Sequence, residues 1–159
     1  MKIRPAKIAD AKEICNLITF YAEQDLMLFR SLAYVYENLR SFMVAEQAGK
    51  VIGCCALQIV WSDLAEVKSL AVDESYLKKG IGKKLVTAIV KHARELGLSK
   101  VFALTLVPGF FQKLGFKVVS KNSLPMKVWS DCTKCPKQKN CDETAVVKRL
   151  RPRVAKKSK

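Results

Sequence analysis

The chain reads as a mixed α/β fold, a sheet with helices packed on it. Three observations point there. Apolar residues recur at three- and four-residue spacing over the first forty positions, and from Phe42 the period shortens toward two. A long amphipathic segment, Ile81 to Leu96, then separates two short apolar runs. At 159 residues, 50% apolar and 27% charged, the chain has room for one domain with a real core.

Met1 to Arg4 is expected as the first strand, and Ala9-Asp10 opens a helix with Ile14, Leu17, Ile18 and Tyr21 on one face. A second helix, Ser31 to Arg40, gathers Leu32, Val35, Tyr36 and Leu39, with Ser31 as its candidate N-cap. Phe42 to Glu46 and Val51 to Ile59 form a hairpin in which Gly49 supplies the turn conformation. Glu66 to Val72 is the fourth strand. The helix Ile81 to Leu96 turns Leu85, Ile89, Val90 and Ala93 inward and stops at Gly97. Lys100 to Val107 is the fifth strand, ended by Pro108-Gly109. Phe110 to Leu114 is a short helix capped by Gly115, and Phe116 to Ser120 begins a sixth strand.

The formal charge is +15, and the last twelve residues supply +7 of it, leaving +8 on the body. Such a surface attracts nucleotide phosphates, acidic metabolites, nucleic acid or anionic lipid without choosing among them. The expected organisation is a single domain over 1–147, with a cysteine-containing loop at 131–142, and a basic, disordered tail over 148–159. That tail lacks aromatics for base stacking, so nucleic acid is not the expected partner. The apolar run from Val51 to Trp61 is too short to cross a bilayer, so no membrane span is expected. The N-terminus lacks the apolar stretch of a secretory leader, and Cys54 and Cys55 sit inside a strand-like run, which suits a reducing cytoplasm.

The most informative stretch is the strand Leu70-Ala71-Val72 and the basic loop that follows, Lys78-Lys79-Gly80-Ile81-Gly82-Lys83. Loop amides and a helix N-terminus converge there, which makes a seat for a phosphate-bearing molecule. With the later block Phe110-Phe111-Gln112-Lys113-Leu114-Gly115-Phe116 and the order of elements, this resembles the GNAT family of acetyl-CoA-dependent N-acetyltransferases from Met1 to about Ser120.

The resemblance implies a mainly antiparallel sheet splayed between strands 4 and 5. It implies that acetyl-CoA lays its pantetheine arm along the backbone of Leu70 to Val72 and its pyrophosphate on Lys78 to Lys83. Two positions depart from the family. Leu77 stands where the loop usually begins with Gln or Arg, and Phe111 occupies, at the cofactor, the place of a tyrosine proposed to protonate the leaving thiolate. Glu66 matches the carboxylate that often removes the proton from the substrate ammonium; otherwise it is a solvated strand-end glutamate. His92 reads as a surface residue.

Leu28-Phe29-Arg30-Ser31-Leu32, Tyr36-Glu37-Asn38-Leu39-Arg40, Ala65 to Val72 and Leu124-Pro125-Met126-Lys127-Val128-Trp129 look like the short amino-acid N-acetyltransferases of the N-acetylglutamate synthase type. That resemblance implies L-glutamate as acceptor, at the entry to arginine biosynthesis. A dicarboxylate needs cationic clamps, for which Arg30 comes first, then Lys68 and Lys127; each could equally be a solvated cation. Other amines, a protein N-terminus, or a GNAT-like binding module without catalysis remain open, as does a homodimer. Cys132, Cys135 and Cys141 form C-x2-C-x5-C, a candidate zinc site that lacks a fourth ligand, with a disulfide or free thiols as alternatives.

Overall fold

The structure, a computed structural model, describes residues 1–125 and 143–151. Its strands are β1 (Lys2–Pro5), β2 (Phe42–Gln47), β3 (Lys50–Trp61), β4 (Leu64–Val72), β5 (Lys100–Thr105), β6 (Lys117–Val119) and β7 (Thr144–Arg149). Its helices are α1 (Ala11–Ala22), α2 (Leu32–Glu37), α3 (Ile81–Glu95) and α4 (Pro108–Gln112). The sheet order is β1-β2-β3-β4-β5-β7-β6. β1 with β2, β2 with β3, β5 with β7 and β6 with β7 pair antiparallel, whereas β4 and β5 run parallel. A parallel pair needs a long crossover, and α3 supplies it.

The chain folds as two compact units, Met1–Leu57 with Val67–Ile89, and Gln58–Glu66 with the residues from Val90 on. In the first, the predicted face of α1 is buried at Ile14 and Ile18, which pack with Val35 of α2 and with Phe42, Val44 and Cys54 of the sheet. Full burial of each aliphatic side chain contributes about 1.5–3 kcal/mol. Ser31 caps α2 as its sequence position suggests, its hydroxyl accepting from the Tyr34 amide at 3.0 Å. The hairpin turn places Ala48 and Gly49 at φ 52° and 77°, the left-handed pair that a two-residue turn requires.

Arg4 ties β1 to the start of α1. Its guanidinium donates to both Asp10 carboxylate oxygens, at 2.7 and 3.0 Å, and to Glu46 of β2 at 2.7 Å, while the Lys7 amide also donates to Asp10 at 2.7 Å. The Arg4 hydrogen bonds hold the largely buried Asp10 carboxyl below its ordinary range. Its folded pKa therefore lies below the unfolded value, so its contribution is fully present above about pH 4 and is lost as pH falls through the folded pKa. Arg4→Met strands the Asp10 charge and is expected to cost about 3 kcal/mol at pH 7. Urea unfolding at pH 7 and pH 3 checks this: the deficit should shrink at pH 3, where Asp10 in the variant is protonated.

In the second unit, Leu64, Phe102, Leu124 and Ala145 form the core, with Val60, Leu104 and Val119 against it. Several element ends differ from the sequence reading by one to three residues, and two differences bear on the architecture. α4 begins at Pro108, which was expected to end β5, because proline's fixed φ and missing amide suit a first helical position. β7 was not expected, and Lys148 and Arg149, read as the start of a disordered tail, are its last two residues. β7 pairs with β5 over six residues, Ala145 and Val146 are buried, and Leu150 donates its amide to Ser99 at 2.8 Å. The Lys148 ammonium donates to the Leu114 carbonyl at 2.6 Å, just past the end of α4. Among the described residues no helix is long and apolar enough to cross a membrane.

Candidate active site

β4 ends with Leu70 half-buried and Ala71 and Val72 buried. The chain turns through Glu74–Tyr76, capped by the Asp73 carboxylate, which accepts from the Ser75 amide at 2.9 Å. It enters α3 through Lys78 and Gly80, both left-handed at φ 63° and 78°. Glycine adopts this conformation freely, whereas for Lys78 it costs roughly 1–2 kcal/mol. Nothing lies within 4 Å of the point where a Gly80 side chain would begin, so the loop is open on that side.

The Gly80 carbonyl accepts the first bond of the helix, from Lys84 at 3.1 Å. The amides of Ile81, Gly82 and Lys83 precede that bond and have no intrahelical acceptor. Lys78, Lys79 and Lys83 are exposed around them, and the Lys79 ammonium lies 5.3 Å from the Tyr76 ring centroid. Open backbone, aligned amides and lysines fit a pyrophosphate. The helix end is held in place from below: a Cβ on Gly53 of β3 would lie 3.0 Å from Leu85 and 3.3 Å from Ile81, so glycine lets α3 pack this closely.

Also in the first unit, the structure brings together Arg30 and Lys68. The Arg30 guanidinium carbon lies 4.5 Å from the Tyr34 ring centroid and the Lys68 ammonium 5.8 Å from the same centroid. The Cys15 thiol, on α1, lies 3.6 Å from the Arg30 carbonyl and helps to fix that segment. The sequence reading missed Tyr34, because an aromatic at helical spacing looks like core; the signal available was its position three residues after the Ser31 cap. Lys68 and Glu66 flank buried Val67 on β4 and are both half-buried, so they share a face of the strand. Ser69, at φ 55°, interrupts the alternation just beyond them.

In the second unit, Glu66 is the last β4 residue of the parallel register, opposite Phe102 of β5. Phe111 is buried in α4, edge-to-face with Phe110 and Phe116, both at 5.1 Å, and offers no proton. His92 is exposed on α3. Cys54 and Cys55 are buried, and burial pushes the Cys54 thiol up to about 12 and that of Cys55 higher still. Both are neutral thiols at pH 7, which argues against an acyl-carrying nucleophile. Lys127 and the candidate zinc ligands Cys132, Cys135 and Cys141 lie outside the described residues. Among the described residues, no group of three or more His, Cys, Asp or Glu is placed to hold a metal ion.

The profile of the Acetyltransferase (GNAT) family matches residues 8–116. An uncharacterized N-acetyltransferase of Chlorobaculum tepidum is 45% identical over 148 residues, 93% of this chain and 96% of the relative. An amino-acid acetyltransferase of Mycobacterium tuberculosis is 36% identical over 132 residues, 81% of this chain and 75% of that one. Among solved structures, the N-acetylglutamate synthase of Neisseria gonorrhoeae complexed with coenzyme A and N-acetyl-glutamate superposes with a TM-score of 0.86 at 30% identity. That superposition covers 94% of this chain and 35% of the synthase, so the chain spans about a third of that protein. On sequence and fold together, the chain belongs to the GNAT family and is an acetyl-CoA-dependent N-acetyltransferase.

Proposed function

We propose that the enzyme acetylates the α-amine of a small acidic amino acid, L-glutamate first, the step that opens arginine biosynthesis. The convergence of Arg30 and Lys68 on the Tyr34 ring carries this reading. The ring face holds both cations near one point. A guanidinium can receive a substrate carboxylate through two parallel hydrogen bonds, and the ammonium adds a second positive charge beside it. Lys127 would supply a further cation. The names of the Mycobacterium and Neisseria relatives support an amino-acid acceptor.

Acetyl-CoA supplies an activated thioester whose carbonyl the neutral amine attacks. In this proposal the backbone of Leu70 to Val72 pairs with the pantetheine amides, and the loop Lys78 to Lys83 receives the phosphates. Glu66 takes the proton from the substrate ammonium, directly or through water, because only the neutral amine is nucleophilic. Phe111 has no proton to donate, so the departing thiolate takes its proton from solvent. In this reading the protein is a cytoplasmic enzyme, and a homodimer is compatible with it.

An amine panel followed by thiol release tests the assignment. L-Glutamate should exceed L-glutamine and L-lysine by about a hundredfold in kcat/KM, because those substrates lack the side-chain carboxylate that a cationic clamp selects. Acetylation of a peptide N-terminus or of lysine, with glutamate inert, would overturn it.

A further inference from the structure

The peptide joining Val72 to Asp73 is held on both sides. Its N–H donates to the Ile52 carbonyl of β3 at 2.8 Å. A trans peptide aims its carbonyl opposite to its N–H, so the Val72 oxygen points off the edge of β4 that faces away from β3. There the Tyr21 hydroxyl, in the last turn of α1, donates to it. Burial, reinforced by the charges of Glu74 and Asp73, raises the Tyr21 phenol above its ordinary value, so it stays protonated and able to donate.

This carbonyl sits where β4 hands over to the glycine loop. An extended ligand running along the edge at Leu70 can exchange amide hydrogen bonds with it, since both partners carry donors and acceptors. Beyond Val72 the ligand chemistry changes, because phosphate oxygens only accept. The loop must therefore hold its amides and lysines in register with those oxygens, and the Val72 peptide, tied to β3 on one side and to Tyr21 on the other, is the point from which the loop departs.

We infer that Tyr21 is a positioning residue for acetyl-CoA, its hydroxyl anchoring the Val72 carbonyl and so fixing the strand end from which the phosphate loop departs. The inference rests on the reading that the pantetheine arm lies along β4 and the pyrophosphate on the loop. Tyr21 also links the donor seat to α1, which leads directly into the segment that carries Arg30.

Tyr21→Phe tests it while keeping the ring and its edge-to-face contact with Phe20 at 5.0 Å. Initial rates are measured with acetyl-CoA and with S-acetylpantetheine, which lacks the pyrophosphate. The acetyl-CoA KM should rise about fivefold to tenfold, the size expected for one hydrogen bond. The S-acetylpantetheine KM, the glutamate KM and kcat should each stay within about twofold. An unchanged acetyl-CoA KM overturns the inference, and so does an equal rise for all three substrates, which would mark a general loosening of the fold. Wild-type enzyme that uses S-acetylpantetheine as well as acetyl-CoA would refute the phosphate seat itself, independently of how Tyr21→Phe behaves.

Discussion

Glu66→Gln should lower kcat by about a hundredfold near neutral pH while leaving both KM values close to wild type. Glutamine keeps the shape and the hydrogen-bonding capacity of the side chain but cannot take a proton. The position is suited to such a swap: Glu66 is half-buried between buried Ala65 and Val67, so the strand tolerates a neutral isostere without exposing its core. The pH profile is the sharper readout. With the base removed, the rate should climb about tenfold per pH unit as the free-amine fraction grows, up to the pKa of the substrate ammonium. A Glu66→Gln enzyme with the full rate across pH would return Glu66 to a structural role and leave solvent as the base.

Arg30→Ala should raise the glutamate KM by about thirtyfold to a hundredfold, with the acetyl-CoA KM unchanged. The guanidinium lies beside Tyr34, whose own place on α2 is set by the Ser31 cap, so removal of the side chain leaves the helix and the ring intact. Arg30→Lys should recover only part of the affinity, because an ammonium keeps the charge and loses the planar fork. An equal rise in both KM values would mean that the variant disturbs the fold rather than the acceptor clamp.

Much of this molecule is legible along the chain, for reasons that are local. The Ser31 cap, the Gly49 turn, the amphipathic stripe of α3 and the glycine loop before it are each decided by residues within one or two turns of each other. The parity of β4 likewise places Glu66 and Lys68 on one face before any coordinates are known. Local reading failed where the partner is distant. β7 is short, highly charged at its end and separated from β6 by a long cysteine-bearing segment, so nothing nearby announces that it pairs with β5. Lys148 reads as one charge in a basic run, yet its ammonium meets a carbonyl thirty-four residues earlier.

The sequence by itself therefore determined the family and the acetyl donor and marked the loop proposed for its phosphates, because a strand, a glycine turn and a helix N-terminus are consecutive in the chain. Only the tertiary structure decided which cations meet. Arg30 and Lys68 are separated by a helix and two strands, and it is the fold of the sheet against α2 that brings both to Tyr34. The same holds for Tyr21, whose hydroxyl reaches a carbonyl fifty-one residues away. Hydrogen bonds within a turn follow from neighbours in sequence, whereas these contacts exist only once apolar burial has fixed where each strand and helix lies.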